Sequence, residues 1–271
     1  MKLRLGYELN YEFPQPTPVI LNVNIHDSRA ADVIVRDDLV VEPHTPVSSY
    51  YDSFGNKCHR MLASPGWLRL TTNAIVYDSG QPDDVSGSTA QASVQDLPEE
   101  TLLFLLGSRY CETDLLSETA WQLFSSTLPG HTRVQSICDF VHRHIRFDYQ
   151  SASSTRTAND AFREGVGVCR DYAHLAIAFC RCMNIPARYC TGYLSDIGTP
   201  LPYPPGDFAA WFEAWIGGRW CLFDPRNNVP RIGRVLIARG RDSSDVAIAT
   251  TFGPNTLTSF RVWTVELAEP M

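Results

Sequence analysis

The first eighty residues carry a period-two rhythm. Leu3, Leu5, Tyr7, Leu9, Tyr11 and Phe13 occupy odd positions, with polar residues or glycine at most of the intervening ones, and Val19, Leu21, Val23 and Ile25 repeat the pattern. Alternation of this kind turns one face of a strand toward a core and the other toward water. The stretches VIVRDDLVVEP, YYDSFGNKCHRML and WLRLTTNAIVY follow, punctuated by Pro, Gly, Asp and Asn, and predict an antiparallel sheet or small sandwich. The polar stretch YDSGQPDDVSGSTAQASVQDLPEE breaks the rhythm. It is the expected boundary between a β-rich domain over residues 1–85 and a second domain over 86–271.

Beyond it the period becomes helical. ETLLFLLGS, SETAWQLFSSTL and TRVQSICDFVHRHIRF follow one another, and Val134, Ile137, Val141 and Ile145 of the last fall on one face. CRDYAHLAIAFCRCM, residues 169–183, is apolar around most of its circumference, as in a helix buried at a domain centre, and Asn184 and Pro186 stop it. ARYCTGYL, AAWFEAWIGGRWCLF and SFRVWTVEL return to strand character. Helices followed by a largely antiparallel sheet predict an α+β fold.

The tryptophan-rich hairpin has a readable register. If Gly217 and Gly218 form a two-residue turn, Ile216 pairs with Arg219, Trp215 with Trp220 and Trp211 with Asp224. Position 209 then lies opposite Arg226 and diagonal to Asp224 on one face, within reach of a long side chain. A histidine at 209 would have its ring oriented by Asp224. The sequence has Ala209.

Composition narrows the chemistry. The chain has 271 residues, 44% of them hydrophobic, and a formal net charge of -7 with no long run of either sign. A nucleic-acid partner would call for a basic stripe and is not expected. The opening MKLRLGYELNYEF lacks the continuous apolar core of a secretory signal, and no stretch reaches the length of a membrane span. Cytoplasmic placement, no membrane partner, and reduced thiols among the eight cysteines are therefore expected. Cys180 and Cys182, with Cys190 and His142 or His144, make only a weak metal pattern, so no metal is expected. No phosphate loop or dinucleotide fingerprint is present, and no organic cofactor is implied.

Cys169 stands out by position. Gly165 and Gly167 precede it, and it opens the buried helix, where unpaired N–H groups lower a thiol's pKa and can hold an oxyanion. The alternative is one more buried thiol. His174, five residues on, points about 140° away from Cys169 on an ideal helix, and His142 and His144 belong to a helix surface. Tyr149 is a candidate oxyanion donor and Trp211 a candidate cleft wall, with core packing as the alternative for Trp211. Arg231, Arg234, Arg239 and Arg241 are expected as surface arginines or partners of Asp242 and Asp245, a substrate-carboxylate site being the alternative.

GVGVCRDYAHLAIAFCRCMNIPARYCTGYL followed by DFAAWFEAWIGGRWCLFDP resembles the transglutaminase-like superfamily, in its bacterial branch with a β-rich N-terminal region, whose members are often described as cysteine proteases. YYDSFGN and NNVPRIGRVLIARGRDSSDVA extend the resemblance over most of the chain. It implies a papain-like or transglutaminase-like core, with a central helix starting at the cysteine and packed on an antiparallel sheet. It also implies a triad of Cys169, a histidine at 209, where the family pattern reads DFHAWFEAW, and Asp224. Such a triad performs acyl transfer on carboxamides of a peptide, protein or small amide, with hydrolysis favoured here over transfer to an amine. Ala209 departs from the pattern while Asp207, Phe208, Trp211 and Glu213 keep it. The expectation is an inactive chain carrying an engineered His→Ala change; the alternatives are a natural binding module that keeps the cleft and a replacement base elsewhere.

Overall fold

The odd apolar positions of the opening rhythm all turn inward. β1 (Lys2–Phe13) buries Leu3, Leu5, Tyr7, Leu9, Tyr11 and Phe13, while Lys2, Arg4 and Glu12 face solvent. The computed structural model describes residues 1–84 and 90–268, so the expected division at residues 85 and 86 lies outside the described residues. β2 (Thr17–Leu21), β3 (Val33–Val35), β4 (Val40–Glu42), β5 (Val47–Tyr51), β6 (Lys57–Ala63) and β7 (Gly66–Tyr77) follow. They form two antiparallel sheets. In one, β1 pairs with β7, which also holds β3 and β4; in the other, β6 lies between β2 and β5.

The helical region comprises α1 (Glu99–Leu102), α2 (Thr113–Phe124), α3 (His131–His144), then β8 (Arg146–Phe147), α4 (Ala158–Glu164), β9 (Val166–Gly167) and α5 (Cys169–Cys182). Short parallel pairing of β8 with β9 brings the segment before Cys169 beside the end of α3. α5 is buried on nearly every side, which its apolar circumference requires. Phe179 on α5 meets Phe124, Phe140 and Phe162 from α2, α3 and α4, at centroid separations of 5.4, 5.9 and 5.9 Å. Asn184, at φ 62°, ends the helix in the left-handed conformation.

The opposite side of α5 packs on an antiparallel sheet made of β10 (Ala187–Leu194), β11 (Ala209–Ile216), β12 (Arg219–Phe223) and β13 (Arg234–Gly240), in the order β12-β11-β10-β13. The architecture is therefore α+β: a β-rich sandwich followed by a core whose central helix begins at the cysteine. β14 (Ala249–Thr251) and β15 (Thr256–Leu267) leave that core and pair with β2 and β1, since those edges offer unpaired backbone groups that the last strands satisfy. Phe208, just before β11, lies between Tyr7 of β1 and Tyr193 of β10, at 6.1 and 5.6 Å. That aromatic contact fixes the entry of β11 against both halves of the molecule.

Candidate active site

The hairpin adopts the register read from its turn. Gly217 and Gly218 have φ of 59° and 79°, the left-handed pair that a tight hairpin turn demands, and pairing runs from Ile216–Arg219 to Phe212–Phe223. The ladder ends there, releasing Trp211 and Asp224 together. Gly192 of β10, opposite Ala209, is required by packing: a Cβ there would stand 2.1 Å from the Val235 carbonyl oxygen and 2.9 Å from the Trp211 ring.

Cys169 occupies the first turn of α5. Asp171 caps that turn, its carboxylate accepting from the Val168 N–H at 2.8 Å, with Arg156 and Arg170 at 3.4 and 3.3 Å. Cys169, Ala209, Tyr149, Asp207 and Arg226 line one pocket of about 90 Å³. The described residues thus place the expected nucleophile and the expected base position in the same cavity. None of the seven histidines of the chain lines it.

The thiol's electrostatics run against the helix-start expectation. Burial pushes the Cys169 thiol up to about 12, and the Asp207 and Asp224 carboxylates act in the same direction. The Ala210 N–H and the Arg226 guanidinium favour the thiolate but do not offset this. A helix terminus acts over one turn and is weak against loss of solvent around the charge.

Asp224 is buried beside this pocket, outside its lining. One oxygen accepts from the Asn227 N–H at 3.0 Å; the other accepts from Asn227 Nδ2 at 2.7 Å and Arg234 Nη2 at 2.8 Å. Burial alone would raise its carboxyl, but the Arg234 charge and the Asn227 donors hold it below the usual carboxylate range. Arg234 also holds Asp83 at 3.0 Å, and its guanidinium carbon lies 4.6 Å from the Trp211 ring centroid. Two sequence expectations need correction here. Trp211 is only 2% exposed and packs beneath Arg234 rather than walling the cleft. Arg231 and Arg234 are buried partners of Asp196 and of Asp83 with Asp224, not surface arginines, because folding brings Asp196 and Asp83 to them from 35 and 151 residues away. Arg241 pairs with Asp245 at 2.9 Å, while Asp242 is buried and accepts from the Tyr110 and Ser244 N–H groups.

Tyr149 lines the pocket on a short turn capped by Asp148, with its ring edge-on to Phe147. Burial, then the neighbouring Asp207 and Cys169, raise its phenol, so it stays a donor. Asp207 was not singled out by sequence as a charged neighbour of the thiol; burial raises its carboxyl, and it accepts from the Phe208 N–H at 2.7 Å. His174 is fully buried, stacked on Tyr110 at 5.2 Å, with Nε2 accepting from the Ser243 N–H. His142 meets the Pro225 carbonyl and His144 the Phe162 carbonyl. Among the described residues no three His, Cys, Asp or Glu side chains converge as a metal site. No helix among them is long and apolar enough to cross a membrane.

Residues 118–225 match the family model of the transglutaminase-like superfamily. A crystal structure from Cytophaga hutchinsonii, of a protein provisionally named a cysteine protease, is 32% identical, covers 100% of this chain and 92% of that one, and superposes with a TM-score of 0.85. An uncharacterized protein of Mycobacterium leprae is 39% identical over 94 residues, 32% of each chain. Another, from Mycobacterium tuberculosis, is 29% identical over 225 residues, 76% of this chain and 65% of the relative. The chain thus spans about one third and just under two thirds of the length of these two mycobacterial relatives. With one fold shared along its whole length and the helix-to-hairpin region matched by the family model, the chain belongs to the transglutaminase-like superfamily.

Proposed function

We propose that this pocket is a site for thiol-dependent acyl transfer on carboxamides, hydrolysis favoured over transfer to an amine, and that it lacks its proton acceptor at residue 209. The observation carrying this reading is the shared cavity of Cys169 and Ala209 with Asp224 held beside it. The superfamily fold supports thiol chemistry of this kind in general. In the reaction the Cys169 sulfur would attack a carboxamide carbonyl, the amine would leave with a proton, and water would cleave the resulting thioester to the acid and free thiol. Tyr149, which lines the same pocket, and the N–H groups of the first α5 turn would donate to the oxyanion.

Without an imidazole at residue 209, the site lacks the group that in a Cys-His-Asp triad takes the thiol proton and returns it to the leaving amine. Members of such a triad act as a unit, so turnover falls by orders of magnitude. The reading that residue 209 is a His→Ala change in an otherwise intact site is supported by the retained Asp224, by its orientation at the end of the hairpin and by one acceptor position left on its first oxygen. A natural binding module is the second reading, favoured by the thiol held near 12 and by the Arg234 charge that neutralises Asp224.

The test is Ala209→His, assayed beside the chain as it stands and beside Cys169→Ala, with a thiol-directed electrophile and with amides in the presence and absence of added amine. Recovery of Cys169-dependent turnover supports the acyl-transfer reading, and dependence on amine separates transfer from hydrolysis. A folded Ala209→His protein that stays inert toward both electrophile and amides overturns it in favour of binding.

A further inference from the structure

The charges of the Cys169 pocket balance in number but not in pairs. Four ionisable side chains of full charge line it: Asp196, Asp207, Arg226 and Arg231. Asp196 and Arg231 satisfy each other at 3.4 Å, and Arg231 is also held by the Asn227 side chain and the Ser195 carbonyl, at 2.7 and 2.8 Å. Asp207 and Arg226 remain. Among the described residues neither forms an ion pair, with the other or with any third group; Asp207 accepts only from the Phe208 N–H, and Arg226 donates to Asn227 Oδ1 while lying over the Phe147 ring at 4.4 Å.

Opposite charges on one small cavity would normally close onto each other, because a partly desolvated charge without a counter-charge is costly. Here the first is fixed in place by the turn into β11 and the second by its stack on Phe147. A cavity of about 90 Å³ has room for several water-sized positions and so for a small ligand, not for a folded segment. We infer that the pocket takes a small zwitterion bearing an ammonium and a carboxylate, a free α-amino acid or very short peptide, with the ammonium at Asp207 and the carboxylate at Arg226. A planar guanidinium matches a carboxylate in two parallel hydrogen bonds, and an ammonium satisfies a lone carboxylate without demanding fixed geometry. The inference rests on the same pocket as the proposed function and names its ligand class, but it does not require turnover.

The experiment is calorimetric titration and mass-spectrometric alkylation of Cys169 in the full chain, with L-alanine, L-glutamine and dialanine. Each is compared with its N-acetyl form, which lacks the ammonium, and its C-terminal amide, which lacks the carboxylate. Zwitterions are expected to bind and to slow alkylation, and each capped form to bind about tenfold or more weakly. Asp207→Asn should weaken the zwitterion and the C-terminal amide yet leave the N-acetyl form unchanged; Arg226→Gln should do the reverse. Should either variant misfold, the capped ligands on the unsubstituted chain decide alone. Equal binding of capped and uncapped forms, or none of either, overturns the inference. If Ala209→His turns over amides while zwitterions neither bind nor protect, only this inference falls. If they bind and protect while Ala209→His is inert, only the acyl-transfer reading falls.

Discussion

Cys169 reports directly on the balance between burial and the helix terminus. A free thiol of pKa about 8.5 is about 3% thiolate at pH 7, whereas a thiol at about 12 is about 0.001% thiolate, a deficit of roughly 3,000-fold. The thiolate of the weaker acid is the better nucleophile, and a Brønsted slope of about 0.4–0.5 over about 3.5 pH units returns roughly 25- to 60-fold. The net expectation is alkylation by iodoacetamide about 100-fold slower than for free cysteine at pH 7. The rate should then rise tenfold per pH unit without levelling below about pH 10. The other seven cysteines are buried, and Cys169 alone is partly open, so adduct mass mapped to its peptide, with Cys169→Ala as the blank, isolates the site. Asp207→Asn removes the largest charge effect raising the thiol and should shift the profile to lower pH, while Arg226→Gln should shift it higher. A profile that levels below pH 9, or a rate at pH 7 equal to that of free cysteine, would refute the reasoning: the helix terminus would then outweigh burial.

Two further predictions concern the scaffold. Arg234→Met leaves Asp83 and Asp224 buried without their cation and should cost about 3–5 kcal/mol in urea unfolding at pH 7. In the unsubstituted protein the Asp224 carboxyl is depressed, so its contribution is complete above the unfolded value of about 3.9 and is lost as pH falls through the folded one; the variant should lack that acid-sensitive increment, and an unchanged acid profile would count against the pairing. Gly192→Ala drives a Cβ into the Val235 carbonyl and the Trp211 ring and should destabilise by at least about 1–3 kcal/mol, with a changed near-ultraviolet tryptophan signal; wild-type stability would show that β10 and β13 do not approach as closely as described.

Local rules were enough wherever one short stretch carries its own answer. The alternation from Leu3 to Phe13 identifies the inward face of β1 because a pleated strand has no other way to bury those side chains. The glycine pair 217–218 sets the hairpin register because only residues tolerant of positive φ close so tight a turn. The apolar circumference of residues 169–182 marks a central helix, and Cys169 at its start with Ala209 at the head of the hairpin was legible by position and by resemblance. Tertiary structure decided the rest. Nothing near Arg234 in sequence announces Asp83, 151 residues away, and with that pair unseen Arg234 reads as a surface charge and Trp211 as a cleft wall. The pairing of β15 with β1 joins strands from opposite ends of the chain, a register no local pattern encodes. The direction of the Cys169 shift was also out of reach. The helix terminus that favours its thiolate is a local feature, whereas the burial and the Asp207 and Asp224 charges that oppose it come from segments brought together only by folding.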